Sequence, residues 1–268
     1  MNVGENNNPA TPLVRYAETT PLFTLDDLRR RYGHRTSDRS ISDLVYRLKR
    51  QGRIRAVAAG VYTGGLSSAP FNRFALPAKL RADALIAFHS ALEFAGVANQ
   101  VFQVTYYFSR RPRRDVIYDG ITFHRVAAPA GLLRARRAEF LVETREGGVR
   151  ATTRERSLVD CLASLEYSGG VEELDQCLGM FPSFDFEAAF DYLRLLRRPW
   201  LYSRLGYMLD RHAEKLYFTS KHRDKFLRRV PRGVVYLEKK EAGQRWIPTW
   251  NLMAPPALAE ASPGGVRT

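Results

Sequence analysis

The sequence predicts an α+β chain in two parts, a small helical block closed by a hairpin and a larger mixed domain. Three observations predict it. Segments with apolar residues at helical spacing alternate with short runs rich in β-branched and aromatic residues. A stretch carrying two Gly, two Ser and two Pro, residues 64–80, follows the first hairpin. The length, 268 residues, is long for one compact domain and comfortable for two. Hydrophobic residues at 45% and charged residues at 26% allow an ordinary core, which excludes wholesale disorder.

Residues 1–10 are polar and Asn-rich and are expected to be a loose tail. The first domain is placed at 11–65 and reads as three helices and a hairpin. Thr24 precedes Leu25-Asp26-Asp27-Leu28, an N-cap with acids in the first turn, and Gly33 ends that helix. Ser37 or Ser40 caps the next helix, whose Ile41, Leu44, Val45 and Leu48 fall at i, i+3, i+4 and i+7. Gly52 stops it. Ile54–Val57 and Val61–Thr63 then form a hairpin turning at Gly60. Three short helices with a terminal hairpin are the winged form of helix-turn-helix, so the full expectation is an N-terminal winged helix-turn-helix followed by a mixed α+β C-terminal domain.

A linker is placed at 66–80 and the second domain at 81–253. A helix is expected over 82–95 and a strand over Val101–Phe108. Two hairpins follow, Val116–Tyr118 with Ile121–Val126 across Asp119-Gly120, and Phe140–Thr144 with Val149–Thr152 across Gly147-Gly148. Thr152-x-x-Glu155 reads as a capping box for a helix carrying Leu158, Val159, Leu162 and Leu165. Helices are further expected from Val171, over 184–198 and over 200–216, then closing strands at Val234–Leu237 and Arg245–Ile247. The Ala/Pro/Gly-rich end, 254–268, is expected to be disordered.

Charge narrows the function. Lys+Arg number 42 against 28 Asp+Glu, a net +14, which favours a polyanionic partner. With Ile41, Leu44, Val45 and Leu48 inward, the opposite helix face carries Arg39, Ser40, Asp43, Tyr46, Arg47 and Arg50. Arginine reads guanine through its planar fork, and hydroxyls reach phosphates. Arg35, Thr36 and Ser37 lie at the helix N-terminus, where free N–H groups attract phosphate. Arg53 and Arg55 sit on the hairpin, placed to touch the DNA backbone or minor groove. Residues 1–65 account for +5 of the net charge and the rest for +9. The excess includes the clusters Arg110-Arg111-Pro112-Arg113-Arg114, Arg134-x-Arg136-Arg137, Arg197-Arg198 and Arg228-Arg229, read as a second DNA contact, a surface for an acidic partner, or solvated loops.

Other classes have little to stand on. The start lacks a basic stretch followed by an apolar run, so no secretory signal is expected, and no segment is apolar enough for a membrane span. Two cysteines, Cys161 and Cys177, cannot build a disulfide framework or a four-cysteine zinc site, which suits a reducing cytoplasm. The histidines show no paired-ligand spacing; His89 and Glu93, at i, i+4, are expected to hydrogen-bond rather than hold a metal. Glu238-Lys239-Lys240 has the E-x-K form of a nuclease metal site, with Asp224 as second acid, yet reads better as a solvated charge run. No cofactor and no catalytic residue are expected.

Four segments resemble, in order, the AbiEi family of abortive-infection antitoxins. They are Ser42–Gly65, ending in Gly60-Val61-Tyr62; Ile86–Gly96, with its Ser-Ala-Leu core; Ala151–Leu162, similar to an A-T-x-E-R-x-L-x-D segment with one extra residue between Thr152 and Glu155; and Ser203–Leu209, similar to R-L-G-Y-x-L. The likeness spans roughly residues 10 to 250. It implies a transcriptional autorepressor that binds double-stranded operator DNA and counteracts a nucleotidyltransferase-like toxin encoded beside it. A winged-helix-targeted nuclease and a plain regulator without a toxin partner are the alternatives.

Overall fold

The computed structural model describes residues 12–67, 71–127, 142–145 and 148–260. The fold is α+β, as expected. The first 64 residues contribute α1 (Pro12–Thr19), β1 (Phe23–Thr24), α2 (Leu25–Tyr32), α3 (Asp38–Arg50), β2 (Ile54–Ala58) and β3 (Val61–Gly64). The three strands make an antiparallel sheet in the order β1-β3-β2. Gly60 turns the hairpin at φ 76°, a backbone region that L side chains avoid. Leu13, Ala17, Phe23, Leu28, Ile41, Val45, Leu48 and Ile54 form this block's core, with Phe23 stacked on Tyr62.

The rest of the chain is built on a six-stranded mixed sheet. Its strands are β4 (Leu85–Ile86), β5 (Val104–Phe108), β6 (Val116–Tyr118), β7 (Ile121–Val126), β8 (Val142–Arg145) and β9 (Val149–Thr152), in the order β6-β7-β5-β4-β9-β8. The pairs β5/β7 and β4/β9 are parallel. Alternation along β4 and β5 divides the core in two. Leu85 and Phe108 face a large helical layer, while Ile86, Tyr107, Phe123 and Ala151 face Val57 and Val61 of the first hairpin and Leu76 and Leu80 of α4 (Leu76–Leu80).

The helical layer contains α5 (His89–Phe94), α6 (Arg154–Ala163), α7 (Val171–Met180), α8 (Phe186–Leu196), α9 (Trp200–Arg211), α10 (Ala213–Leu216) and α11 (Ser220–Leu227). A small sheet, β10 (Val235–Tyr236), β11 (Arg245–Ile247) and β12 (Leu252–Ala254), precedes α12 (Pro256–Glu260). None of the helices among the described residues is long and apolar enough to cross a membrane.

Several expectations need correction. The helix over 82–95 divides, because Leu85 and Ile86 are buried between β5 and β9 as a strand, and only His89–Phe94 is helical. An all-apolar run has no period by which to tell strand from helix. Within the 66–80 linker, the described part packs on its neighbours: Leu76 and Leu80 are buried, and Lys79 pairs with Asp27 of α2 at 2.8 Å. Thr152 is not the helix cap; it ends β9, and Thr153 accepts the Arg156 N–H. The chain from Ala254 to Glu260 is strand and helix, held by Tyr207 donating its hydroxyl to the Leu258 carbonyl at 3.0 Å. The helix expected over 200–216 also breaks, at His212. The first tail, the arginines at 134, 136 and 137, and part of the second hairpin lie outside the described residues.

Candidate nucleic-acid interface

The site begins with two short caps. Thr24 accepts the Asp27 N–H at 3.0 Å while Asp27 accepts the Thr24 N–H at 2.8 Å, a reciprocal box that starts α2. A four-residue turn follows, and Ser37 starts α3 by accepting the Ser40 N–H at 3.2 Å. Of the two caps the sequence allowed, Ser37 is the one used. Asp38 in the first turn and Arg47, Lys49 and Arg50 in the last complement the helix dipole.

Ile41, Val45 and Leu48 anchor α3, buried to 3% exposure or less, with Leu44 half-buried beside them. That fixes the outer face. Arg39, Ser40, Asp43, Tyr46, Arg47, Lys49 and Arg50 are exposed, and Tyr46 is 61% exposed with the Arg50 guanidinium 6.0 Å from its ring centre. The structure therefore brings Arg39, Ser40, Asp43 and Arg47 onto one face, as the periodicity requires. Lys49 joins the exposed set although the stripe analysis passed over it. It lies next to Leu48 in sequence, and helical rotation carries it outward.

Arg35 and Ser37 are exposed at the start of α3 and Thr36 is half-buried. Arg55 stands exposed on β2, opposite Thr63 of β3. Arg53 differs. Its Nε donates to the carboxylate of Glu18 in α1, which is 4% exposed, so the side chain ties the hairpin to the first helix. A carboxylate taken from water needs such a partner.

The constellations that might have carried catalysis resolve into supports. Glu238 accepts the Val171 N–H at 3.2 Å, capping α7, an acid at the positive end of a helix. His89 is wholly buried, bonded through Nδ1 to Glu93 at 3.1 Å and through Nε2 to Glu173 at 2.9 Å, and stacked on Phe102 at 4.0 Å. His89, Glu173 and Cys177 bring possible ligand atoms within 4.8 Å of one another. Yet Glu173 already accepts the Asn99 N–H, the Gln100 N–H, the Asn99 amide and the Cys177 thiol. Burial alone would raise the Glu173 carboxyl; His89 and these donors hold it below the usual range. Burial pushes the Cys177 thiol up to about 12. The group is a satisfied polar node joining α5, the 99–102 loop and α7, and its Glu173 was invisible to a reading that paired His89 only with Glu93.

The segments that carried the family resemblance are also accounted for by packing. In Arg204-Leu205-Gly206-Tyr207, Arg204 donates to the Leu162 and Tyr236 carbonyls, Leu205 is buried, and Gly206 lies under Trp250. Ser90 accepts the Tyr106 N–H at 2.9 Å, and Asp160 accepts the Tyr192 hydroxyl at 2.6 Å.

Neither a family model nor a curated protein matches this chain. Among solved structures it is similar to one described as the RV2827C protein from Mycobacterium tuberculosis, with a TM-score of 0.59 and 17% identity, covering 90% of this chain and 88% of that one. At that identity the likeness is one of fold, and it extends over nearly the whole length of both chains.

Proposed function

We propose that this chain is a DNA-binding transcriptional autorepressor that also serves as the antitoxin to a nucleotidyltransferase-like toxin, working in the cytoplasm without a cofactor. One observation carries the DNA-binding half: α3 exposes Arg39, Ser40, Asp43 and Arg47 on a single face while Ile41, Val45 and Leu48 hold its other side. In this reading residues 12–64 are a winged helix-turn-helix. The α3 face enters the major groove, and Arg35, Thr36, Ser37 and Arg55 touch the phosphate backbone. Arg53, committed to Glu18, has a lesser part. The antitoxin half rests on the AbiEi resemblance of the four ordered segments.

Fluorescence anisotropy on the duplex upstream of the coding region, against a scrambled duplex, tests the first half. Tighter binding to the upstream duplex, with a log–log salt slope of roughly −4.5 if about five phosphates are neutralised, is expected. Equal weak binding to both duplexes would overturn it. Growth rescue on co-expression with the adjacent toxin tests the second half.

A further inference from the structure

Tyr107 lies inside the six-stranded sheet with 0% exposure, and its hydroxyl has no hydrogen-bond partner among the described residues. A buried donor left unmet is rare in a folded protein. Three guanidinium groups converge on the same end of β5. Arg125 is the register partner of Tyr107 on parallel β7, so the two side chains share a sheet face, and Arg125 donates to the Ser109 carbonyl at 3.3 Å. Arg81 donates through Nη2 to the Pro112 carbonyl at 3.1 Å, which brings it to the loop that carries Arg113. The Nε groups of Arg81 and Arg113 are themselves buried and without hydrogen-bond partners among the described residues. Burial pushes the Tyr107 phenol up, and Arg113, Arg81 and Arg125 each pull against that, so all three charges are felt at the hydroxyl.

No carboxylate pairs with these arginines among the described residues. Asp83 is occupied in holding the loop, accepting the Ser109 hydroxyl at 2.8 Å and the Arg110 N–H at 2.9 Å. Asp115 also lies within electrostatic reach of Tyr107, but it is bonded to His124 at 2.9 Å. The result is a positive cluster with three unmet polar atoms: the Tyr107 hydroxyl, which can give or accept a hydrogen bond, and two guanidinium Nε groups, each with an N–H to give.

We infer that Tyr107, Arg81, Arg113 and Arg125 form a phosphate-binding site at the C-terminal end of β5. A tetrahedral oxyanion supplies acceptors in several directions, which matches donors that converge from a strand, a neighbouring strand and two loops. The site borders the first hairpin. A cleft of about 370 Å³ beside it is lined by Val57, Ala58 and Ala59 of the hairpin and by Arg113, Arg114 and Asp115, so that Arg113 is the member of the cluster that reaches it. A phosphate here has two sources, a DNA backbone group running past the hairpin or a free phosphorylated molecule. The DNA source rests on the proposed function, whereas the site itself does not.

The test uses the full chain, Tyr107→Phe and Arg113→Ala. Melting is followed in inorganic phosphate against chloride at matched ionic strength, and duplex binding is measured in phosphate-free buffer. Phosphate should raise the melting temperature of the parent chain and leave that of both variants unmoved. If the phosphate comes from DNA, Arg113→Ala should also bind every duplex about tenfold more weakly, with a salt slope shallower by about 1. A melting shift with unchanged DNA binding by Arg113→Ala assigns the site to a free phosphorylated molecule. If the parent chain binds no DNA, the proposed function falls while the melting arm still decides the site. No shift in phosphate, together with unaltered DNA binding by folded variants, overturns the site.

Discussion

Gly206 of α9 lies against the indole of Trp250, so close that a β-carbon at 206 would meet Cζ3 at 2.1 Å. Trp250 is 1% exposed and fixed by its Nε1, which donates to Asp210 at 2.8 Å. The ring cannot withdraw without breaking that bond. Gly206→Ala is therefore expected to cost about 2–3 kcal/mol, the upper range for overpacking a filled core. Gly233→Ala is the control: nothing lies within 4 Å of its added carbon, and its change should stay within about 1 kcal/mol. Urea unfolding of the two variants measures both, and equal midpoints would show that the Trp250 contact does not limit residue 206.

The two arginines Arg47 and Arg53 should separate binding from stability. Arg47 is exposed on α3 away from the core stripe, so Arg47→Ala should leave stability within about 0.5 kcal/mol. In the proposed function it costs about 1–3 kcal/mol of specific binding and relaxes sequence preference. Arg53→Ala strands the buried carboxylate of Glu18. Discounted because Arg53 is 43% exposed, the loss should be about 1–2 kcal/mol of folding stability. Its effect on DNA binding should be the smaller of the two. Paired unfolding and anisotropy curves decide it; a stable Arg53→Ala with strongly weakened binding would return Arg53 to the interface.

What the sequence made legible follows from the range of the interactions. The α3 stripe, the Thr24 cap and the Gly60 turn depend on neighbours within four residues and were readable in the order of the residues, while the α3 cap was narrowed only to Ser37 or Ser40. So was the exposed face of Arg39, Asp43 and Arg47, because burying one side of a helix fixes the other. The docking of the first hairpin on the sheet was not readable, since Val57 and Val61 meet Tyr107 and Phe123 only after the chain has crossed the sheet. Glu238 resembled a metal ligand because its partner, the Val171 N–H, is a backbone group distant in sequence. The cluster around Tyr107 needs four residues from four separate segments, and its clearest sign, a buried hydroxyl without a partner among the described residues, has no counterpart in a sequence.

The two thiols should be silent in the native protein. Cys161 and Cys177 are both fully buried and unpaired. Burial raises both, Cys177 to about 12, with Glu173 adding to its shift, so almost no thiolate exists at neutral pH. Neither should react with a thiol-specific reagent at pH 8 on the timescale of a free cysteine, and both should react once urea unfolds the chain. Rapid labelling of one cysteine in the native state would reveal local opening of α6 or α7.

Acid should weaken the contact between α2 and α4 first through Asp27. Burial alone would raise this carboxyl, but Lys79 at 2.8 Å, together with the Thr24 N–H and hydroxyl, lowers it from 3.8 to about 2. A carboxyl depressed in the folded state adds stability that is fully present above its unfolded value and lost as pH falls through its folded value. The window here runs from about pH 4 down to about pH 2, and the shift corresponds to about 2 kcal/mol. Glu173, Asp175 and Asp83 are depressed as well and add to the same acid loss, so the parent chain alone does not isolate Asp27. Asp27→Asn does, since an amide keeps the shape of the capping box but not the charge facing Lys79. The variant should be about 2 kcal/mol less stable than the parent at pH 6, and the two should converge as pH falls below 3. A difference that stays constant across that range would mean that Asp27 acts through its cap to Thr24 and not through Lys79.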